Sequence, residues 1–195
     1  MSDIESFEFS EAGKARCDEI IARYPEGRQQ SAVIPLLDLA QRECGGWLPT
    51  PALEHVAGRL GMAKIRVLEV ASFYSMFNLE PVGKNFVQLC RTTPCWLRGS
   101  DDLREVATEV TGCGLGQTSD DGVFTVVEVE CLGACCNAPM VQINDQYYED
   151  LTAENFRTVL EALKRGETPA AGSQAGRAGS EPAAGLTSLT GIGAD

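Results

Sequence analysis

Basic residues are scarce in this chain. Sixteen Lys and Arg stand against twenty-eight Asp and Glu, a formal net charge of −12. That balance excludes a surface built to neutralise nucleic-acid phosphates or to dock on anionic lipid. There is one histidine, His55, and mid-helix it reads as a partly exposed polar residue; no Ser/His/Asp arrangement exists. No apolar run approaches the roughly 18 residues needed to cross a bilayer. A glycine-rich dinucleotide fingerprint and a phosphate loop are both missing, so the chain carries no machinery of its own for a dinucleotide or a flavin. The opening MSDIESFEFSEAGKARC lacks the basic, apolar and small-residue succession of an export signal and is too acidic for a mitochondrial presequence. A bacterial cytosolic protein or a mature matrix protein is the expectation.

What is present falls into three stretches. Residues 1–80 read as a helical bundle. Ser10 caps a helix with Cys17, Ile20, Ile21 and Tyr24 on one face. A second stripe carries Val33, Leu36, Leu37 and Ala40, with Pro35 confined to its first turn. Thr50-Pro51 opens a third helix that Gly61 ends. The fourth, from about Ala63 to Phe77, is apolar almost all round, which predicts cover on both sides. Residues 81–166 change character. Asn85–Cys90 and Phe124–Glu130 read as strands, Met140–Asn144 as another that Gln146-Tyr147-Tyr148 extends into a hairpin. Helices open at Ser100 and at Thr152, and Gly166 closes the second. This is an α/β pattern following the helices. Residues 167–195 hold 13 Gly or Ala among 29 and no aromatic, so an extended or disordered tail is predicted, with Leu186, Leu189 and Ile192 as anchors on a partner.

The eight cysteines carry the chemistry. With no export signal, a disulfide framework is the weaker explanation, and metal or redox chemistry rises. Cys90 and Cys95 are separated by four residues and Cys131 and Cys135 by three. Each pair stands where a strand ends, so both can converge at one edge of a small sheet. Four thiolates at one point suit an iron–sulfur cluster or a zinc ion. The x4 and x3 spacings are looser than a zinc knuckle, and Gly133 lets backbone approach inorganic sulfur closely; a zinc-stabilised interaction module and redox thiols remain as alternatives. Cys17 and Cys44 read as core residues, and Cys113 as a surface thiol. Cys136 also makes an x4 pair with Cys131, but adjacent residues rarely aim at one centre, which favours Cys135. Arg91 and Arg98 flank the first pair, as counter-charges to a cluster or as solvated surface. Pro139 stands before a strand beside the site and can hold a fixed turn, trans by default with cis as the alternative.

The segments RVLEVASFYSMFNLEPVGK (66–84), CRTTPC (90–95) and VECLGACCNAPMVQINDQYYEDLT (129–152) resemble the small 2Fe–2S flavoprotein subunit of respiratory complex I. AVIPLLDLAQRECGGWLP (32–49) and GRAGSEPAAGLTSLT (176–190) are similar as well. The resemblance implies an α+β chain: an N-terminal helical bundle, a thioredoxin-like α/β ferredoxin domain, and a disordered C-terminal tail. It implies one 2Fe–2S cluster on Cys90, Cys95, Cys131 and Cys135, exchanging single electrons with the FMN of a larger subunit that binds FMN and NADH. It also implies other peripheral-arm subunits as neighbours. That places the chain peripheral to the inner membrane, on the cytoplasmic side of a bacterium or the matrix side of a mitochondrion. A diaphorase-type subunit of a soluble NAD-linked hydrogenase or formate dehydrogenase is the alternative of the same chemistry.

Overall fold

In a computed structural model, which describes residues 4–185, 187 and 188, the chain divides into two compact units at Val82/Gly83. The first is all helical. Helix α1 (Glu11–Ile21) starts at Ser10, whose hydroxyl accepts the Gly13 N–H at 3.0 Å. The same hydroxyl donates to the Glu43 carboxylate at 2.7 Å, tying the start of α1 to the end of α2 (Val33–Glu43). Pro35 is the third residue of α2, where no intrahelical N–H is lost. Helix α3 (Thr50–Leu60) carries Pro51 at its second position and ends on Gly61 in the left-handed region at φ 61°. Helix α4 (Lys64–Phe73) follows. Cys17, Leu36, Leu37, Ala40, Val56, Val67 and Phe77 form the core of this unit, each of the larger ones worth about 1.5–3 kcal/mol when fully buried.

Helix α4 departs from expectation. It stops at Phe73, where Tyr74 turns extended, and only Val67 and Ala71 are buried along it. Ile65 is 59% and Phe73 79% exposed, so within the first unit the helix is covered on one side only. A ten-residue helix turns one stripe toward α2 and α3, and apolar composition alone does not say whether the opposite stripe has a neighbour.

The second unit is a six-stranded mixed sheet with helices. In chain order it contains β1 (Asn85–Cys90), α5 (Thr93–Leu97), α6 (Ser100–Thr111), β2 (Gln117–Thr118), β3 (Phe124–Val129), β4 (Val141–Ile143), β5 (Gln146–Glu149), α7 (Ala153–Lys164) and β6 (Gly172–Ser173). The strand order is β2-β3-β1-β4-β5-β6. Central β1 runs parallel to β3 and antiparallel to β4. The β4–β5 hairpin turns through Asn144 at φ 52°, a conformation asparagine tolerates. Helices α6 and α7 lie side by side, and Leu103, Val106, Phe156 and Leu160 close the core over Val87, Leu89, Phe124 and Val126. Thr152 caps α7 reciprocally with Asn155.

One further expectation changes, and a second is narrowed. Cys113 is not a surface thiol: it is buried, with its sulfur 3.2 Å from the Thr111 hydroxyl. Gly112, at φ 72°, ends α6 and turns the chain back into the core. Of the tail, the stretch 167–185 runs extended, as one arm of the expectation had it, and is tied to the sheet rather than free. Gly172 and Ser173 add β6 to the open edge of β5, and Gln174 N–H donates to the Glu149 carbonyl at 2.9 Å. A segment too poor in apolar groups to form a core can still complete backbone hydrogen bonds on an existing sheet. The anchors Leu186, Leu189 and Ile192 lie outside the described residues.

Candidate functional site

Parallel strands end at the same edge, and here Cys90 is in register with Val129. The segments that leave β1 and β3 therefore meet. Cys90 is the last residue of β1. Thr92 and Pro94 then set the start of α5, which carries Cys95 back beneath the strand end; both thiols are buried, at 2% and 1% exposure. Cys131 lies two residues beyond β3, and Cys135 opens a single 3₁₀ turn, Cys135–Asn137. Both are exposed, and their sulfurs are 3.3 Å apart. The chain leaves this turn through the cis Ala138–Pro139 bond into β4.

The structure thus brings together all four thiols that the spacing singles out, as an inner and an outer pair. The Thr92 hydroxyl is 3.5 Å from the Cys90 sulfur and also acts on Cys131, whose thiol it helps to lower. Among the described residues, no three or more His, Cys, Asp or Glu side chains close tightly enough on one point to hold a single ion. Two pairs, each within reach of one metal atom, are the donor set that a two-iron centre uses. Below them Met140, Ala138, Leu132, Ala134 and Tyr147 pack with Cys90 and Cys95 as a small apolar floor.

The electrostatics repeat within each pair. Burial alone would push the Cys90 thiol up, but the Thr92 hydroxyl, the N–H groups of Thr92 and Leu132, and the Cys95 thiol outweigh it and hold Cys90 below the ordinary range. Burial and the neighbouring Cys90 push Cys95 up to about 12, against the Met140 N–H. In the outer pair, the Gly133 N–H, the Cys135 thiol and the Thr92 hydroxyl lower Cys131. Cys135 is raised, first by its hydrogen bond to Cys131 and then by burial. Within each pair one thiol is thus lowered and its neighbour raised, and a metal that binds displaces the thiol protons. Gly133, at φ 89°, gives the loop the bend that aims its N–H at Cys131.

Other residues fall where the sequence left choices open. The Cys136 side chain is exposed and its carbonyl accepts from Arg177 at 2.8 Å, while Cys135 faces Cys131. Arg91 is held between Glu128 at 2.7 Å and Asp101 at 2.9 Å, so its charge is already matched; Arg98 is exposed. His55 stands edge-on to Phe7 and Phe9 in the first unit. Sequence reasoning missed three supports. Thr92 was findable, because it lies inside the first cysteine spacing. Tyr147, whose hydroxyl donates to the Leu132 carbonyl at 2.7 Å, and Arg177 gave no local signal.

Residues 17–164 match the thioredoxin-like 2Fe–2S ferredoxin family. A curated protein of Rickettsia bellii, named as a subunit of NADH-quinone oxidoreductase, is 52% identical over 161 residues, covering 83% of this chain and 96% of that protein. A protein of Dictyostelium discoideum, named NADH dehydrogenase (ubiquinone) flavoprotein 2, mitochondrial, is 46% identical over 183 residues, covering 94% of this chain and 74% of its own length. Among solved structures, a chain of an air-oxidised NAD+-reducing NiFe-hydrogenase superposes with a TM-score of 0.60 at 20% identity. The match covers 67% of this chain and 23% of the hydrogenase chain, and shows likeness of fold. No helix among the described residues is long and apolar enough to cross a membrane.

Proposed function

We propose that this chain, which belongs to the thioredoxin-like 2Fe–2S ferredoxin family, is the electron-carrying subunit of an NADH:quinone oxidoreductase, with Cys90, Cys95, Cys131 and Cys135 holding its one cluster. The observation that carries the reading is the meeting of the two cysteine pairs at the shared end of β1 and β3. A bound 2Fe–2S cluster supplies one-electron exchange, at a potential set by hydrogen bonds to sulfur and by exposure. The protein's part is to hold four thiolates and to aim donors at them: the N–H groups of Thr92, Leu132, Gly133 and Met140, and the Thr92 hydroxyl. Such donors orient the ligands and tune the centre.

NADH gives up two electrons as hydride, and this chain has neither a dinucleotide fingerprint nor a flavin motif. The conversion from two electrons to one therefore belongs to a larger FMN- and NADH-binding subunit; the names of the Rickettsia and Dictyostelium relatives support a multi-subunit NADH oxidoreductase as the setting. Trp96 and Leu97, 55% and 70% exposed directly after Cys95, supply an apolar contact surface beside the inner pair. Within such a complex the chain is peripheral to the membrane, on the cytoplasmic or matrix side.

The test is iron, sulfide and zinc analysis of anaerobically purified protein with low-temperature EPR after dithionite. Two irons and two labile sulfides per chain are expected, with no NADH oxidation by the chain alone and NADH-dependent reduction once the flavin-bearing subunit is added. Stoichiometric zinc without sulfide overturns the reading.

A further inference from the structure

The outer cysteine pair sits on an exposed loop, and a loop needs external support to hold two sulfurs in one geometry. The support comes from the C-terminal segment. Asp150, just past β5, has a side chain only 12% exposed, and Arg177 faces it at 13%. Three side chains meet on that carboxylate: Arg177 through Nε at 3.0 Å and through Nη2, the Ser173 hydroxyl at 2.6 Å, and the Asn137 amide at 3.2 Å. The Arg177 guanidinium also donates to the Glu181 carbonyl at 2.7 Å and to the Cys136 carbonyl at 2.8 Å. Asn137 donates in turn to the Gly179 carbonyl at 2.8 Å, and the Asp150 N–H to the Asn137 carbonyl at 2.8 Å. The turn that begins at Cys135 is therefore gripped at both of its following residues by a segment some forty positions later in the chain.

We propose that Arg177 is a positioning residue for the outer ligand pair: with Asp150 it clamps the turn Cys135–Asn137 and so fixes the backbone from which Cys135 reaches the cluster. The inference rests on the reading of Cys131 and Cys135 as ligands. Exposed ion pairs hold little in place, but this pair is nearly enclosed and every nitrogen of the guanidinium has an acceptor. Because Asp150 matches its charge, Arg177 acts through the geometry of its planar fork. Lysine, a point charge on a flexible stem, does not span Asp150 and two carbonyls together.

The full-length cluster-bearing chain is compared with Arg177→Ala, Arg177→Lys and Arg165→Ala. The last removes an exposed pair with Glu167, at 2.7 Å, near the start of the same segment. Three quantities are read: the EPR line shape after dithionite, the rate of cluster loss to an iron chelator, and the urea midpoint. Arg177→Ala and Arg177→Lys should both lose the cluster about tenfold faster, the scale expected for residues that orient ligands, with a displaced or broadened EPR signal. Arg165→Ala should match the wild type in both. An Arg177→Ala protein with a lower urea midpoint but wild-type line shape and loss rate overturns the proposal, since Arg177 is then a fold contact only. Full rescue by Arg177→Lys overturns it too, because charge alone suffices. If Arg177→Ala does not accumulate folded, Arg177→Lys, which keeps the Asp150 pair, decides. A wild-type chain without any cluster defeats the proposed function instead, so the two failures are distinct.

Discussion

Gly83→Ala adds one methyl group and should cost more than alanine at any other described glycine of the second unit. A Cβ at Gly83 would lie 2.6 Å from the Phe124 carbonyl carbon and 2.9 Å from both its nitrogen and its oxygen. Ordinary carbon contacts are about 3.5–4.0 Å, so the two backbones must part by about 1 Å. Phe124 cannot yield, because its ring is fully buried. The separation falls on three hydrogen bonds: Gly83 N–H to the Thr125 hydroxyl at 2.6 Å, Lys84 N–H to the Gly122 carbonyl at 3.0 Å, and Asn85 N–H to the Val123 carbonyl at 2.8 Å. At about 1 kcal/mol each, with about 1–3 kcal/mol of overpacking, the expected loss is about 4–6 kcal/mol, a large part of a domain's typical 5–15 kcal/mol. Gly133→Ala is the contrast. Nothing lies within 4 Å of its Cβ position, so only the positive φ opposes it, at about 1–2 kcal/mol. Urea unfolding followed by far-UV circular dichroism measures both. A loss below about 1 kcal/mol at Gly83, or a larger loss at Gly133, refutes the reasoning.

Alanine at Cys90, Cys95, Cys131 or Cys135 should abolish the cluster's visible absorption and EPR signal, while Cys136→Ser leaves both unchanged; the reverse result for Cys135 and Cys136 moves the ligand by one position. Burial would raise the Asp150 carboxyl, but Arg177, Ser173 and Asn137 outweigh it and hold it below the usual range. A depressed carboxylate contributes stability above its unfolded value of about 3.9 and loses it as pH falls through the lower folded value. In cluster-free chain the advantage of wild type over Asp150→Asn should therefore be constant at neutral pH and fade only below about pH 4; a fade near pH 6 would contradict the assignment. Tyr147→Phe removes the donor to Leu132 and should cost about 1 kcal/mol in urea unfolding. Phe73→Ser, on the exposed end of α4, should change the free chain's stability by less than about 0.5 kcal/mol, yet reduce co-purification with other subunits.

Elements with a local chemical signature were legible. Ser10 and Thr152 announce caps, Gly61 and Gly166 stop helices, and the run FTVVEVE marks a strand. The cysteine spacings pointed to the sheet edge because strand ends and thiols coincide in the sequence. Legibility stopped where structure depends on distant partners. Thr93–Leu97 is too short for a helical period to register, and β2 and β6 are two-residue strands defined only by the edges they join. The exposure of Ile65 and Phe73 depends on what lies beside α4. Arg177 meets Asp150 and Cys136 across 27 and 41 positions, through a Gly/Ala-rich segment without periodicity.

The four thiols do not stand equally before solvent. Cys90 and Cys95 are sealed by the strand end, α5 and the apolar floor, whereas Cys131 and Cys135 stand open. The centre therefore has a front and a back. Iron delivered to it, an oxidant attacking it or an alkylating reagent sent to probe it arrives at the front, and thiol reactivity follows access as well as charge. A centre seated this way is damaged and refilled from the same side, the side on which Cys131 and Cys135 stand open.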